Sequence, residues 1–313
     1  MTASVASPAT KTRRDFLAEI SANKNKSVVL LVLLGAILVM LGAGLGIYIG
    51  SIELGVLAGL LIAFIVGLVA YFDGARTILS LSGARKADPG RDQVLINVVD
   101  EMRIAAGLPM PEVYVMDTDA LNAFATGRDP AHAAIAVTSG LVKKLSREEL
   151  QGVVGHEMSH VRTYDIRYMM LAAALVGAVV LLSDGMLRGR FLFGGRRGRG
   201  GGGGGNAIFA ILALVLAILA PLFASLLQMA ISRKREYMAD AGAVELTRNP
   251  LAMAGALEKI DHHLIADPLP GANRGTQHLY IANPLHRYKW NASALMSTHP
   301  PMEDRIARLR AMA

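Results

Sequence analysis

The chain contains no cysteine, which excludes disulfide bridges and thiolate metal sites. Any metal ion must therefore be held by His, Asp or Glu. Aromatic residues are scarce, at 5% with a single Trp, and no nucleic-acid-binding module is visible, so nucleic acid is not an expected partner despite the formal net charge of +7. Only 18% of residues are charged, whereas 53% are hydrophobic and the mean hydropathy is +0.40. These values are too apolar for an ordinary soluble domain, and they predict membrane spans beside a folded domain, with the lipid bilayer as a partner.

Four hydrophobic segments predict the membrane-associated part of the chain. Residues 27–72 contain two charge-free runs separated at Glu53, and each run is long enough to cross a bilayer as a helix. We expect these runs to form a tight hairpin, and the first is too long for the hydrophobic region of a cleavable signal. A second hydrophobic hairpin at 167–232 encloses a loop rich in glycine and arginine at 185–206, and its first run is short for a complete span.

Basic residues give the predicted orientation of the first hairpin. The tail at 1–26 is basic, and arginine and lysine follow the second run, so both ends of the hairpin are expected on the cytosolic side. The basic loop at 185–206 would then lie outside, which opposes the same rule. Either the second hairpin is shallow or partly buried, or the rule is overridden, and both alternatives keep the flanking folded segments on one side. RNA binding by the Arg-Gly run is the weaker interpretation of this loop, because the loop lies between hydrophobic segments.

The segments 73–166 and 233–313 have the composition of a folded domain, and their patterns predict a mostly helical α+β fold. Apolar residues at helical spacing over 92–106 stop at Gly107, which predicts a helix that ends there. A small β-sheet is expected to follow, and one of its edge strands can hold an extended substrate by strand addition. The predicted strands are 112–117, 122–127 and 133–142, with a turn at 128–130.

A helix carrying the pattern H-E-x-x-H is the most informative stretch of the chain. Ser146 followed by Glu149 predicts a capping box, so the helix begins near Ser146 and runs through His160. Positions four apart share a helix face, and this lets His156 and His160 place two imidazoles on one metal ion. Glu157 lies one step round the helix, where a carboxylate can take a proton from a water on that ion. This is the arrangement of a zinc peptidase.

A third ligand is predicted just after the fourth hydrophobic segment. H-E-x-x-H alone also arises by chance on polar helices, so the zinc interpretation depends on that ligand. Glu236 and Asp240 lie four residues apart and share a helix face. Glu236 can complete a His-His-Glu set, and Asp240 can accept the ring N–H of a ligand histidine. The alternative is an ordinary acidic face that pairs with the preceding basic cluster.

Four separated motifs together resemble a known peptidase family. The motifs are N-A-F-A-T-G at 122–127, H-E-M-S-H at 156–160, E-Y-M-A-D at 236–240, and S-T-H-P-P at 297–301 followed by Arg305. In this order they resemble the M48 family of integral-membrane metallopeptidases, and within it the HtpX branch of bacterial heat-shock proteases. The resemblance extends from residue 27 to the end of the chain, although the Arg-Gly loop matches no part of the family pattern.

The resemblance implies one zinc ion per chain, bound by His156, His160 and Glu236, with Glu157 as the general base. It implies a gluzincin-like catalytic domain that faces the cytosol, on a multi-pass protein of the bacterial cytoplasmic membrane. The implied activity is hydrolysis of peptide bonds in misfolded or damaged membrane proteins, as part of quality control and the stress response.

Two further site residues and two alternative functions accompany this prediction. His299 is a candidate donor to the oxyanion of the reaction, and its alternative role is to start the final helix. Asn122 is a candidate for the substrate cleft. A CAAX-type prenyl-protein endopeptidase is one alternative function, although that branch generally has more than four spans. A non-catalytic membrane adaptor with a structural zinc is the other, and the intact Glu157 disfavours it, because a structural site needs no base between its histidines.

Overall fold

The computed structural model describes residues 8–174, 233–263, 269, 276–282, 284 and 300–313. The chain divides into two compact units. The first, here called the motif unit, consists of Met1–Ser27, Ala75–Met170 and Ile231–Ala313. The second, here called the hydrophobic unit, consists of Val28–Gly74 and Leu171–Ala230.

Helices dominate the structure, and a small mixed sheet accompanies them, which confirms the mostly helical α+β prediction at that level. The helices are α1 (Pro8–Ile49), α2 (Ile52–Phe72), α3 (Gly74–Leu81), α4 (Gln93–Ala106), α5 (Ser139–Lys144), α6 (Arg147–Arg162), α7 (described over 165–174), α8 (Arg233–Thr247), α9 (Pro250–His263) and α10 (Met302–Arg310). The strands are β1 (Ala84–Lys86), β2 (Glu112–Met116), β3 (Ala123–Gly127) and β4 (Ala133–Thr138).

The hydrophobic unit contains a hairpin of α1 and α2. Stretches at Ile20–Met40 and Ile52–Phe72 are long and apolar enough to cross a membrane. Ser51 caps α2 by accepting the N–H of Leu54, so only two residues connect the helices, as the tight-hairpin prediction requires. The other two predicted segments, at 168–183 and 207–231, lie mostly outside the described residues, and only the helical stretch up to residue 174 is seen.

Glycines bring the backbones of α1 and α2 together. A Cβ placed on Gly55 would lie 2.3 Å from the carbonyl oxygen of Gly42 and 2.5 Å from the Cα of Gly46. The same crowding applies to Gly59, whose Cβ would lie 2.9 Å from the Cα of Val39. Small residues at four-residue spacing on both helices thus allow a close approach that larger side chains would prevent.

The described part of the predicted basic tail, residues 8–26, is helical: α1 begins at Pro8 and runs without interruption into the apolar stretch. The sequence contains no Gly or Pro between Pro8 and Gly35, so no residue in this interval breaks the helix. Asn23 and Ser27, which lie in the motif unit, are buried.

The sheet of the motif unit has the strand order β1-β2-β4-β3, with β2 and β4 parallel and the outer pairs antiparallel. β3, which carries most of the N-A-F-A-T-G motif, is therefore an edge strand. The predicted strand at 133–142 was too long. It ends at Thr138, whose hydroxyl accepts the N–H of Leu141 and starts α5. The short strand β1 was not predicted.

The core of the motif unit lies between α4, the sheet, α6 and α9. α4 ends at Gly107, which adopts a left-handed conformation (φ 66°), and this confirms the predicted helix stop. Each large apolar side chain buried here contributes about 1.5–3 kcal/mol through its removal from water. Fully buried members include Leu95, Val98, Ile135, Val153, Met253 and Leu257.

Candidate metal centre

α6 positions the H-E-x-x-H motif inside the motif unit. The capping box is present as predicted: the hydroxyl of Ser146 accepts the N–H of Glu149, and the Glu149 carboxylate accepts the N–H of Ser146. The second half of the helix is buried on all sides by the sheet, α8 and α9, so His156, Glu157 and His160 are removed from solvent. The prediction of a helix from Ser146 through His160 is confirmed.

The two histidines of the motif direct the same ring atom at a common point. The Nε2 atoms of His156 and His160 lie 3.2 Å apart, and the ring planes are nearly perpendicular, at 84°. Glu236 on α8 completes this group, with Oε2 3.8 Å from the Nε2 of His156 and Oε1 3.8 Å from the Nε2 of His160. The three ligand-type atoms lie within 4.8 Å of one another, a spacing that suits one metal ion.

Each histidine has a carboxylate behind its other ring nitrogen. The Nδ1 of His156 lies 2.9 Å from Asp240, and the Nδ1 of His160 lies 3.0 Å from Asp165. A carboxylate that accepts the Nδ1–H of a histidine directs the Nε2 lone pair towards a metal ion. Asp240 lies where the sequence predicted it, whereas Asp165 was not predicted.

Arg305 on α10 binds Asp240 next to His156, with its Nη2 3.4 Å from the Nδ1 of that histidine. Its Nε and Nη2 donate to the two carboxylate oxygens of Asp240 at 2.8 and 2.6 Å, and its Nη1 lies 3.6 Å from Glu236. Burial acts to raise the pKa of Asp240, but the charge and hydrogen bonds of Arg305, with the hydrogen bond to His156, outweigh it and lower the pKa to about 2. Asp240 is thus held in its ionised form.

The charges of the centre favour an added cation. Among the described residues, four buried carboxyl groups surround the centre with two buried guanidinium groups. These side chains are Glu157, Asp165, Glu236, Asp240, Arg235 and Arg305. Burial lowers the pKa of His160, but its bond to Asp165 and the charge of Glu236 outweigh that effect and raise the pKa to about 9. Positive charge is therefore favoured at the imidazole of His160, and two imidazoles with carboxylate oxygens form a donor set for a divalent metal ion.

Glu157 lies beside this donor set. Its side chain is 1% exposed, and burial, with a smaller contribution from the charge of Glu236, raises its pKa to about 7. The backbone N–H of Ala125 on β3 faces the Glu157 carboxylate. Backbone groups alternate in direction along an antiparallel strand, and the carbonyl of Ala123 points away from β4 to accept the N–H of Ile281. The backbone groups of Ala125 therefore point away from β4, on the side of β3 where Glu157 lies.

The remaining predicted site residues lie elsewhere. Asn122 is buried at the start of β3, where its Nδ2 donates to the carbonyl of Ala282 and its Oδ1 accepts the N–H of Ala123. This side chain joins the edge strand to the 276–282 segment. His299 lies outside the described residues.

A comparison with known proteins shows the family. The model of peptidase family M48 matches residues 89–313, which is more than half of the chain and includes all the residues of the centre described above. The chain belongs to peptidase family M48. Protease HtpX homologues of Dictyoglomus thermophilum and Streptococcus agalactiae are 43% and 44% identical to this M48 chain. The first alignment covers 95% of both chains, and the second covers 94% of this chain and 99% of the relative.

A solved structure shares the fold of this M48 protein. The crystal structure of S. mikatae Ste24p is similar with a TM-score of 0.51 at 17% sequence identity, over 94% of this chain and 67% of that chain. Family, relatives and fold together make the protein a membrane metalloprotease, and the apolar helices α1 and α2 agree with a membrane location.

Sequence reasoning missed two residues of the M48 centre. Asp165 follows His160 by five residues, so a pattern H-E-x-x-H-x-x-x-x-D would have identified it, provided the helix ended in time. Helix α6 does end in time, because Tyr164 takes a left-handed backbone conformation (φ 62°) that turns the chain back towards His160. Arg305 is recognisable in the sequence only as part of a motif, and the role of its side chain is seen only in the structure.

Proposed function

We propose that this protein is a zinc-dependent endopeptidase of the bacterial cytoplasmic membrane. Its proposed substrates are misfolded or damaged membrane proteins, and its catalytic part is proposed to face the cytosol. The observation that carries the proposal is the convergence of His156, His160 and Glu236, with Glu157 buried beside them. The basic residues that flank α1 and α2 support the orientation.

Zinc is the metal that this donor set fits best. Structural and catalytic zinc sites use imidazole and carboxylate ligands, and peptidases often use two histidines and one glutamate. Two nitrogens bound to a tetrahedral zinc ion lie about 3.3 Å apart, and the two Nε2 atoms here lie 3.2 Å apart. His156, His160 and Glu236 would hold one ion per chain and leave a fourth position open. When bound, zinc would lower the pKa of a coordinated water from about 15.7 towards 7 and polarise the scissile carbonyl.

Glu157 is proposed as the general base. Its carboxylate is buried, faces no basic side chain in a direct ion pair among the described residues, and accepts a hydrogen bond from the backbone N–H of Ala125 on β3. A nearby divalent cation favours the ionised carboxylate, which can then accept a proton from the attacking water. Glu157 next delivers that proton to the leaving nitrogen as the C–N bond breaks. The reaction consumes one peptide bond and one water molecule, and it yields one carboxyl group and one amine.

Five other residues complete the proposed mechanism. Asp240 and Asp165 hold the ligand histidines in the tautomer that exposes Nε2. The outward backbone carbonyl of Ala125 can accept a hydrogen bond from an extended substrate. His299 is proposed to donate to the oxyanion on the substrate carbonyl, and Asn122 is proposed to shape the cleft through the edge strand that it anchors.

The test uses the full-length protein, purified in detergent with a chelator present and then supplied with zinc. Digestion of casein and of an unfolded membrane protein is followed for the parent, for Glu157→Gln and for Glu148→Gln, an exposed carboxylate on the same helix. We expect Glu157→Gln to bind one zinc ion and to lose at least about 100-fold in turnover, whereas Glu148→Gln retains the parent rate. Equal, measurable turnover in Glu157→Gln and the parent would contradict the assignment of Glu157 as the base. If neither protein cleaves any substrate, the result favours the adaptor alternative. A prenylated CAAX peptide is the third substrate. The prenyl-protein endopeptidase alternative predicts that this peptide is cleaved and that casein and the unfolded membrane protein are not.

A further inference from the structure

The turn after α6 connects the metal centre to a distant part of the chain. Thr163 and Tyr164 end the helix, and the hydroxyl of Thr163 donates to Asp165, which the turn places behind His160. The left-handed backbone of Tyr164 is uncommon for a residue with a side chain, and neighbouring groups must stabilise it. Contacts that hold this turn therefore also hold Asp165 in position.

The carboxylate of Asp165 is fixed through both of its oxygens. Oδ2 lies 3.0 Å from the Nδ1 of His160 and accepts the hydroxyl of Thr163 at 2.9 Å. Oδ1 accepts the side-chain N–H of Asn23 at 2.7 Å and lies 3.4 Å from the guanidinium of Arg235. The hydrogen bond from Asn23 is the shorter of the two contacts to Oδ1, and it joins residues separated by 142 positions in the sequence.

Asn23 belongs to α1 and makes a second bond to the same turn. Its side chain is 0% exposed, and its Nδ2 also donates to the backbone carbonyl of Thr163 at 3.0 Å. The adjacent Lys24 lies over the ring of Tyr164, with its Nζ 4.3 Å from the ring centroid. Burial of a primary amide is costly unless the amide is hydrogen-bonded. The Nδ2 of Asn23 meets this cost by donating to both ends of the turn that carries Asp165, whereas its buried Oδ1 accepts no hydrogen bond among the described residues.

We propose that Asn23 is a positioning residue of the metal centre, which acts through Asp165 on the ligand His160. The amide donates to the Asp165 oxygen that does not face His160, so the carboxylate cannot rotate away from the Nδ1–H of the ligand. This assigns a role in metal binding to a residue of the N-terminal helix, outside the stretch that matches the family model. The proposal rests on the proposed metal site of the preceding section, but not on proteolysis by it.

Substitutions at residue 23 make different changes to this contact. Asn23→Ala removes the donor and leaves Asp165 Oδ1 with Arg235 alone. Asn23→Asp places a second carboxylate against Asp165, at the position where the amide lies 2.7 Å away. Asn23→Ser keeps a small polar group that is too short to reach Asp165. Ser27→Ala is the matched control, because Ser27 is buried one turn further along α1 and, among the described residues, its hydroxyl donates to the Asn23 carbonyl of the same helix and not to the turn at 163–165.

The experiment measures metal binding by the full-length protein in detergent, without turnover. Zinc affinity is obtained by competition with a chromophoric chelator, and the visible absorption of the Co²⁺-substituted protein reports on ligand geometry. We expect Asn23→Ala to weaken zinc binding about tenfold, at the low end of the range for groups that orient a metal ligand, and to shift the Co²⁺ bands. Asn23→Ser should behave similarly, Asn23→Asp should bind at least as weakly, and Ser27→Ala should match the parent.

A double-variant comparison separates positioning from general structural support. In an Asp165→Ala background, Asn23→Ala should change zinc affinity less than about twofold, because the two substitutions break one pathway. A tenfold loss that persists in this background would overturn the proposal. So would lower thermal stability in Asn23→Ala with unchanged zinc affinity and Co²⁺ spectrum. If Asn23→Ala does not fold, the same comparison is made with Asn23→Ser.

The outcome is also separate from that of the proposed function. A parent protein that binds zinc and cleaves neither casein nor a membrane substrate would refute the endopeptidase, while the affinities of the residue-23 variants would still decide this proposal. A parent protein that binds no divalent metal ion would refute both.

Discussion

Arg305 is the residue on which two carboxylates of the metal centre depend. It is fully buried, it binds Asp240 through two nitrogens, and it lies 3.6 Å from Glu236. A planar guanidinium matches a carboxylate in this paired geometry, which lysine cannot reproduce. Arg305 therefore holds the group that orients His156 and at the same time balances the charge of the third metal ligand.

Replacement of Arg305 should cost much more than replacement of an arginine at the surface of the same helix. Removing one partner of a buried ion pair costs about 3 kcal/mol or more, which corresponds to a fall in melting temperature of about 6 °C or more. We expect Arg305→Gln to show this fall in thermal unfolding in detergent. We also expect metal analysis of the same variant to show reduced zinc occupancy. Arg310→Gln is the control, because Arg310 pairs with Glu258 at the surface, and it should change stability by less than about 1 kcal/mol. Equal melting temperatures for the two variants would contradict the role given to Arg305.

At the scale of elements, the metal centre is a contact between α6 and α8. The histidines belong to α6 and Glu236 belongs to α8, so the distance between these helices sets the distance between ligands. Gly242 on α8 packs against Ser159 on α6 so closely that a Cβ would lie 2.2 Å from the Ser159 hydroxyl and 2.9 Å from its Cβ. A small residue is required at this point if the ligands are to meet.

A larger side chain at residue 242 should separate the ligands. We expect Gly242→Val to destabilise the protein by about 1–3 kcal/mol through overpacking, and to weaken zinc binding by about tenfold or more, because 1.4 kcal/mol corresponds to a tenfold change in affinity. Ala241→Val is the matched control, since Ala241 is the exposed neighbour on the same helix, and it should bind zinc as the parent does. Parent-like zinc affinity in Gly242→Val would show that the helices can adjust without moving Glu236.

The hairpin of α1 and α2 depends on a different glycine contact. Gly55 has no room for a side chain against Gly42 and Gly46, whereas a Cβ on Gly67 of the same helix would meet no described residue within 4 Å. We expect Gly55→Leu to force the two helices apart and to lower the melting temperature in detergent by at least about 2 °C, the change for roughly 1 kcal/mol. Gly67→Leu should melt with the parent. Identical melting curves for the two variants would mean that the close approach of the helices contributes little to stability.

At the scale of the whole molecule, the buried charges couple metal binding to folding. Among the described residues, more buried carboxylates than guanidinium groups surround the ligand set, and a divalent cation would interact favourably with them. A metal ion that binds the folded protein and not the unfolded chain therefore raises the free energy of unfolding.

Chelation should lower the melting temperature of the full-length protein, and zinc should restore it. At a free zinc concentration of about 100 times Kd, the stabilisation is about 2.7 kcal/mol. Glu236→Ala should lose most of its bound zinc, and its melting temperature should not respond to chelator or zinc. Glu245→Ala, an exposed carboxylate on the same helix, should respond as the parent does. A parent protein whose melting temperature is the same in chelator and in zinc would show that no cation occupies the proposed site.

Features that depend on neighbouring residues could be predicted from the sequence alone. The spacing of His156 and His160, the capping box at Ser146, the helix stop at Gly107 and the apolar stretches of α1 and α2 all follow from local periodicity and local hydrogen bonding. The spacing of Glu236 and Asp240, together with the family motifs, predicts that both lie near the two histidines, which is where the structure has them. The length of the last strand was mispredicted, because the Thr138 side chain starts a helix where the apolar pattern alone continues.

The tertiary structure decided the contacts that surround the ligands. Asp165 reaches His160 only because Tyr164 reverses the chain, Arg305 meets His156 across 149 positions, and Asn23 reaches Asp165 across 142. Such contacts join residues that share no local pattern, and they arise when separate helices bury their apolar faces and leave one arrangement in which the enclosed polar groups are paired. Local sequence specifies which residue types each helix presents, and only the packing of those helices determines which of them meet.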